Sequence, residues 1–405
     1  MIQKVKIRDI ATFVRGVSYK KDQAQKEYSE GYTAILRANN ISAGSILMDD
    51  LVYVPNTLIS DDQIVNKGDI VITMSSGSKA HVGKVAIATE TMNCAFGAFC
   101  GKLVCIGVLP SYLFYLLMSK RFRSHIESQC KGTNINNIKQ GYILDYEIVL
   151  PARTEQERIV TRIEELFSEL DNGVETLRKT KQQLAVYRQA VLKEAFDRAG
   201  EKKLPLKQII EKPRYGTSKK CSYDTDEYSI PVYRIPNINY QQGTISHDDL
   251  KYATFTKDEF DSLELREGDI LIIRSNGSVS LVGRSAVITE KDTHGLFAGY
   301  LMRLRIKDGV EILSQYLNLY LNTHYARYQI EQMAKSTSGV NNINSDEICR
   351  INLPVCDIDM QRAIIQEVEA RLSVCDSIQK TIDTALQQAE AMRQSILKQA
   401  FEGKI

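Results

Sequence analysis

Apolar and polar residues follow two rhythms along the 405-residue chain. The first is short. β-Branched runs at residues 69–73, 82–88, 269–273 and 281–288 are bounded by Gly, Ser and Asn clusters, which predicts strands joined by turns. An apolar helical pattern follows each strand-rich part, at residues 110–129 and 310–333. The second rhythm is long. From Thr154 to about residue 199 there is no Pro and one Gly, and Thr154 with Glu157 forms a capping-box signature. Every seventh residue from Ile163 is apolar (Ile163, Leu170, Leu177, Leu184, Val191), with Ile159, Leu166, Gly173, Thr180 and Tyr187 between them. This is a heptad seam whose centre is weak at Gly173 and Thr180. A poorer second seam, 205 residues on, reads Val368, Cys375, Ile382, Ala389 and Ile396, with Ile364, Arg371, Ile378, Ala385 and Met392 between. A helix of about 45 residues is roughly 65 Å long, too long to be buried in one small domain. It needs a partner along its length, and the other seam of the same chain is reached at the lowest loop-closure entropy. With a strand-rich part between the seams, antiparallel pairing is expected, giving a rod with a globular part at each end.

The two rhythms occur twice because the chain is duplicated. Residues 67–90 (KGDIVITMSSGSKAHVGKVAIATE) and 267–290 (EGDILIIRSNGSVSLVGRSAVITE) align without a gap and share twelve of twenty-four positions. YRQAVLKEAF ending at Phe196 returns as MRQSILKQAF ending at Phe401, and Ile138 and Ile343 each follow two Asn. A repeat of domain size presents two similar surfaces to a partner that itself has two halves.

Composition excludes more than it selects. With 43% apolar and 25% charged residues the chain reads as an ordinary globular protein. No apolar run reaches the roughly 18 residues of a spanning helix, and MIQKVKIRDI lacks the apolar core of a secretory signal. A cytoplasmic location without membrane contact is the expectation. The eight Cys form no CxxC pair and the five His no HxH or HxxxH pair, so buried reduced thiols are expected rather than a metal site. Net charge is only +2, but residues 1–151 carry 17 basic against 13 acidic side chains, and residues 201–220, which include Lys219 and Lys220, seven against two. A local basic surface can neutralise phosphates while the whole stays near neutral; a solvated charged surface reads the same way. Catalytic motifs are missing: there is no phosphate cradle, no Pro-Asp followed by acid-x-Lys of a nuclease, and no Asn-Pro-Pro-aromatic of an adenine methyltransferase. Asp69 and Asp269 fit a Gly-Asp turn entering a strand better than a catalytic acid.

Polar loops are the remaining candidates. Ser75, Ser76, Ser78, Lys79 and His81 follow the first GDI strand, and Arg274, Ser275, Asn276 and Ser278 the second. Within a matching scaffold, Met74 becomes Arg274, Ser76 Asn276, Lys79 Val279 and His81 Leu281. Two readers of different base sequences need such changes, since base edges are distinguished by Arg, Lys, Asn and Gln; divergence of exposed loops would look alike. A second loop pair carries Lys131, Thr133, Asn136 and Asn137, and Asn341 and Asn342, whose amides suit phosphate or adenine contacts or turn capping. A third pair, Arg37 with Asn40-Ile41 and Arg234 with Asn237-Ile238, points at least as much to a structural hydrogen bond as to DNA.

Together, RxxNI, a GDI strand with its Gly-Ser loop and Val-Gly pair, a Gly-Thr/Ser-x-Asn loop, and Leu-Pro leading into a long helix with Glu155, Gln156, Arg158 and Ile159 resemble the specificity subunits of type I restriction-modification enzymes. The resemblance spans nearly the full chain. It implies an α+β fold: two repeated globular target recognition domains (1–151 and 200–354) separated by two long conserved spacer helices (152–199 and 355–405) forming an antiparallel intramolecular coiled coil. It further implies a non-catalytic subunit in which each domain reads half of a split double-stranded DNA target, the half-sites lying about one helical turn apart. Two methyltransferase subunits would dock along the coil and restriction subunits join them, with S-adenosylmethionine, ATP and Mg used by those partners. The second helix departs from the pattern, with DIDMQR in place of TEQER and Arg371 and Cys375 on its seam. The rival readings are a coiled-coil adaptor with two protein-binding heads and an enzyme assembling a site between the repeats.

Overall fold

The structure is a computed structural model describing residues 3–42, 44–78, 81–129, 136–337 and 339–405. It comprises two compact units, Met1–Leu177 with Thr384–Ile405, and Arg178–Asp383.

In the first unit an antiparallel sheet runs in the order Ala11–Arg15, Cys100–Cys105, Ile70–Thr73, Val85–Ile87. A second sheet places Tyr32–Leu36 between Cys94–Phe96, parallel to it, and Val52–Pro55. The second unit repeats both orders with Arg214–Tyr215, Leu301–Leu304, Ile270–Ile273 and Ser285–Val287, and with Lys251–Thr254, Ser229–Tyr233 and Leu296–Phe297. The GDI strands are buried throughout because both faces are covered. Ile70 and Ile72 enter the core beneath the helices while Val71 faces the core of the smaller sheet; Ile270 and Ile272 against Leu271 and Ile273 do the same.

Two expected elements are shorter than the hydrophobic pattern suggests. The strands expected at 82–88 and 281–288 start only at Val85 and Ser285. Gly83 and Gly283 take positive φ (73° and 85°), and a Cβ there would meet Ile126 Cγ2 at 2.7 Å or Ile330 Cδ1 at 2.6 Å. The Val-Gly pair is therefore a turn pressed onto a helix. Each helix expected after the strands is broken in two, Pro110–Met118 with Lys120–Gln129, and Ser314–Leu321 with His324–Met333. Ser119 Oγ donates to Leu116 O (2.6 Å), and Thr323 Oγ1 donates to Tyr320 O (2.7 Å) and accepts from Ala326 N (3.2 Å). A hydroxyl that competes for backbone groups ends one helix and caps the next.

The long helices span Arg153–Asp197 and Ile358–Phe401. The Thr154 capping box is not formed: Glu155 N and Gln156 N bond to Ala152 O (2.9 and 3.0 Å), and Glu157 accepts from Arg153 Nε (3.0 Å). Asp357 caps the second helix through Met360 N (2.8 Å). Their pairing is antiparallel. In the first unit Arg393 pairs with Asp171 and lies 4.9 Å over the Phe167 ring. In the second, Lys181 meets Asp383 (2.7 Å), Arg188 Asp376, Glu194 Arg371 (2.8 Å) and Arg198 Glu367. Each step forward along one helix is matched by a step back along the other.

Of the seam residues, Ile163, Leu184, Val191, Val368, Ile382, Ala389 and Ile396 are buried, and Leu166, Leu170 and Leu177 half-buried. Tyr187, Ile378 and Met392 instead lie exposed. An α-helix drifts about 20° per heptad against a strict seven-residue repeat, so one line of the seam leaves a two-helix contact. Arg371 also holds Tyr187 outward, its guanidinium 5.4 Å over the ring and bonded to the hydroxyl (3.3 Å).

The helix ends complete the unit cores, which explains the repeated decapeptide. Val191, Leu192, Ala195 and Phe196 enter the second core, where Phe196 packs on Tyr316 and Tyr320; Ile396, Leu397 and Ala400 enter the first, where Phe401 meets Tyr112 edge-on. Gln156 and Gln361 lock the other ends. Gln156 Oε1 accepts from Leu109 N (2.8 Å) and its Nε2 donates to Pro151 O (2.9 Å). Gln361 accepts from Leu313 N and donates to Glu311 O and Cys356 O, all at 2.9 Å. The DIDMQR departure thus keeps the same buried glutamine.

Candidate nucleic-acid interface

Two loops that are distant in sequence meet in each unit. Beyond Ile70–Thr73, Ser75–Ser76 pairs with Asn136–Asn137, and Ile138 N bonds to Met74 O (3.0 Å). In the second unit Ser275–Asn276 pairs with Val340–Asn342, which folds back on Lys335–Thr337, and Ile343 N bonds to Arg274 O (2.9 Å). Ile138 and Ile343 are the buried anchors of their loops. This small polar sheet gathers most of the candidates.

Ser75 is buried, Ser76 half-buried, and His81 and Asn137 exposed. Of Asn136 only the backbone is described, and Lys79, Lys131 and Thr133 lie outside the described residues. Arg274 is half-buried, its guanidinium 4.7 Å over the Tyr215 ring and its Nη1 donating to Gly299 O (3.2 Å). Asn276 Oδ1 accepts from Ser278 N (2.8 Å), Asn341 Nδ2 donates to Gly277 O (3.0 Å), and Asn342 Nδ2 to Val340 O (3.3 Å). These asparagines brace the loop backbone with part of their amide capacity. Lys219 and Lys220 do not join that sheet: Lys219 Nζ contacts Glu259 Oε2 (2.6 Å) and Thr254 O (3.0 Å), while Lys220 is exposed.

The RxxNI pairs are structural. Asn40 Oδ1 accepts from Arg37 N (2.9 Å) and its Nδ2 donates to Leu47 O and Asp49 O (2.9 and 2.7 Å); Asn237 does the same with Arg234 N (2.9 Å), Ser246 O and Asp248 O (3.1 and 2.8 Å). Arg37 and Arg234 pair with Asp50 (2.8 Å) and Asp249 (2.9 Å). The GDI aspartates are structural as well: buried Asp69 accepts from Asn66 N and meets buried Lys102 Nζ, both at 2.8 Å, and Asp269 binds Arg266 N (2.7 Å) and Arg305 through two N–H groups (2.8 and 2.7 Å). Burial pushes the Cys94 and Cys100 thiols up to about 11 and about 12, so both are inert. Among the described residues no group of three His, Cys, Asp or Glu is arranged to hold a metal, and no helix is long and apolar enough to cross a membrane.

Sequence reading missed one pair. Phe99 and Tyr300 occupy the same turn in the two units and are exposed. An aromatic retained between FGAFCGK and FAGYLMR was the available signal.

A duplicated α+β scaffold with changed loop side chains, carried on an antiparallel helix pair, defines a two-headed recognition protein. Residues 2–184 match the type I restriction modification DNA specificity domain. The chain is 32% identical to the StySPI specificity subunit of Salmonella potsdam and 30% identical to the EcoKI specificity subunit of Escherichia coli K12, each comparison spanning 98% of this chain and 88% of the relative. It belongs to the specificity subunits of type I restriction enzymes. A solved chain from work on complex assembly and conformational transition of the type I R-M system shares the fold, with a TM-score of 0.73 at 15% identity, covering 100% of this chain and 98% of that one.

Proposed function

We propose that each unit reads one half of a split double-stranded DNA target, without catalysing a reaction itself. The observation that carries this is the repeated sheet order with altered side chains on one polar loop sheet: Ser76 with Asn276 and Met74 with Arg274 at matching positions. Arg and Asn present the bidentate donors and acceptors that distinguish base edges. Two methyltransferase subunits dock along the paired helices, where exposed Tyr187, Val374 and Ile378 leave apolar surface, and restriction subunits complete the nuclease. S-adenosylmethionine, ATP and Mg act in those partners, and the complex works in the cytoplasm. Mapping methylated bases in host DNA with and without this chain tests the reading. Two short elements separated by a fixed gap are expected; one contiguous motif, or no change on removing the chain, overturns it.

A further inference from the structure

Most residues kept at matching positions of the two units are buried nodes: Asn40 and Asn237, Asp69 and Asp269, Gln156 and Gln361. Phe99 and Tyr300 are kept as aromatics, yet their residues are 65% and 62% exposed. Packing gives no reason for a large ring there.

Each ring stands on a firmly held turn. Cys100 N closes the first onto Gly97 O and Leu301 N the second onto Ala298 O, both at 2.8 Å. The aromatic residue's own carbonyl accepts from the base of the polar loop, Phe99 O from Met74 N (2.8 Å) and Tyr300 O from Arg274 N (2.9 Å). On the other side Ala98 N bonds to Val17 O (2.9 Å) and Gly299 N to Thr217 O (2.7 Å), in segments that lead to Lys20-Lys21 and Lys219-Lys220. The backbone that carries each ring is therefore fixed between the small polar sheet and the segment at Val17 or Thr217.

A ring held beside a sheet of Ser and Asn suits a ligand that offers polar edges and, where a base step is opened, flat apolar faces. Nucleic acid has that chemistry. An apolar protein surface would leave the hydroxyls and amides of the polar sheet desolvated without partners. We propose that Phe99 and Tyr300 are DNA-contacting residues, each wedging its ring against a nucleobase at a partly unstacked step of the half-site read by its unit. This rests on reading the units as DNA readers. The duplication then carries two kinds of contact, one aromatic and shared, the other polar and different.

The test uses the full chain assembled with its methyltransferase subunits and a short duplex bearing the methylated motif mapped for the wild-type complex. Phe99→Ala and Tyr300→Ala are each expected to weaken binding by at least about 5-fold, the low end of one base–aromatic stack, because opening the duplex step offsets part of the gain. Phe99→Tyr and Tyr300→Phe should stay within about 3-fold, and all four should melt like the wild type because the rings bury little. An abasic site scanned through the duplex gives the sharper result: at one position in one half-site its effect should vanish in Phe99→Ala, and at one position in the other half-site in Tyr300→Ala. Alanine variants that bind like wild type, or losses additive with the abasic effect everywhere, overturn the assignment while leaving the split-target reading standing. A wild-type complex with no split methylated motif overturns both.

Discussion

Lys102 and Asp69 form a buried ion pair whose disruption can be worked through from its contacts. The ammonium lies 2.8 Å from Asp69 Oδ2 and donates to Ile64 O at 2.7 Å. Lys102→Met keeps the stem and removes the charge. Asp69 is then a buried carboxylate with a single backbone donor, Asn66 N, and Ile64 O loses its side-chain partner. Removing one member of a buried pair costs about 3–5 kcal/mol, and an orphaned carbonyl adds to this, so we expect about 4 kcal/mol. At about 2–4 °C per kcal/mol for a unit of this size, melting falls by about 8–16 °C. Adding Asp69→Asn removes the second charge while an amide oxygen still accepts from Asn66 N; the double variant should therefore be more stable than Lys102→Met alone, within about 2 kcal/mol of wild type. Calorimetry on the full chain, supported by urea unfolding, measures both. A Lys102→Met loss under about 1 kcal/mol, or a double variant worse than the single, refutes the reasoning and reopens a non-structural role for Asp69.

The remaining predictions concern other nodes and the loops. Asn237→Ala removes three buried backbone bonds at once and should lower stability by about 2–4 kcal/mol in urea unfolding; a loss below about 1 kcal/mol would show that water replaces the amide. Glu367 is held below the usual carboxylate range by Arg198 and then Arg371, and Asp383 by Lys181 and then Gln379. Both carboxyls are depressed in the fold, so their stabilisation is fully present above the unfolded values near 4.5 and 3.8 and fades as pH falls through the folded ones. Melting followed from neutral to about pH 3 should hold level and then drop, and a rise on acidification would contradict the pairing. Arg274→Ala should relax one base of one half-site, at about 1–3 kcal/mol, without changing the other half; an unaltered methylation motif would remove Arg274 from the readers.

The long helices were legible because a heptad pattern is local and survives a few interruptions such as Gly173 and Arg371. The GDI strands were legible for the same reason: three or four consecutive apolar residues between turn signals, Ile70 to Ile72 and Ile270 to Ile273, need both faces covered. The breaks at Ser119 and Thr323 were not, since one hydroxyl in an apolar run gives no signal until its backbone acceptor is known. Within the candidate site, each polar loop could be found from its composition, but the pairing of Ser75 with Asn137, or Ser275 with Asn342, could not. That pairing is set by the buried Ile138 and Ile343 and by one backbone bond each, contacts that bridge some sixty residues of chain. The heptad reading also overcounted the seam, because an α-helix drifts against a strict seven-residue repeat and carries Tyr187, Ile378 and Met392 out of the contact.

Two copies in one chain act as a control on one another. Where both keep a residue and bury it, the hydrogen bonds account for it: the asparagine of RxxNI, the GDI aspartate and the helix-starting glutamine each satisfy backbone groups that would otherwise be orphaned. Selection for a DNA contact is not needed to explain them. The polar loops behave in the opposite way. Their backbone bonds are the same in both units, with Gly83 N to Thr73 O and Gly283 N to Ile273 O both at 2.7 Å, and His81 N to Ser78 O and Leu281 N to Ser278 O at 3.1 and 3.2 Å, while the side chains they carry differ. A loop whose main chain is held by its own hydrogen bonds can exchange side chains at little cost in stability, which is the property a pair of readers tuned to different half-sites requires.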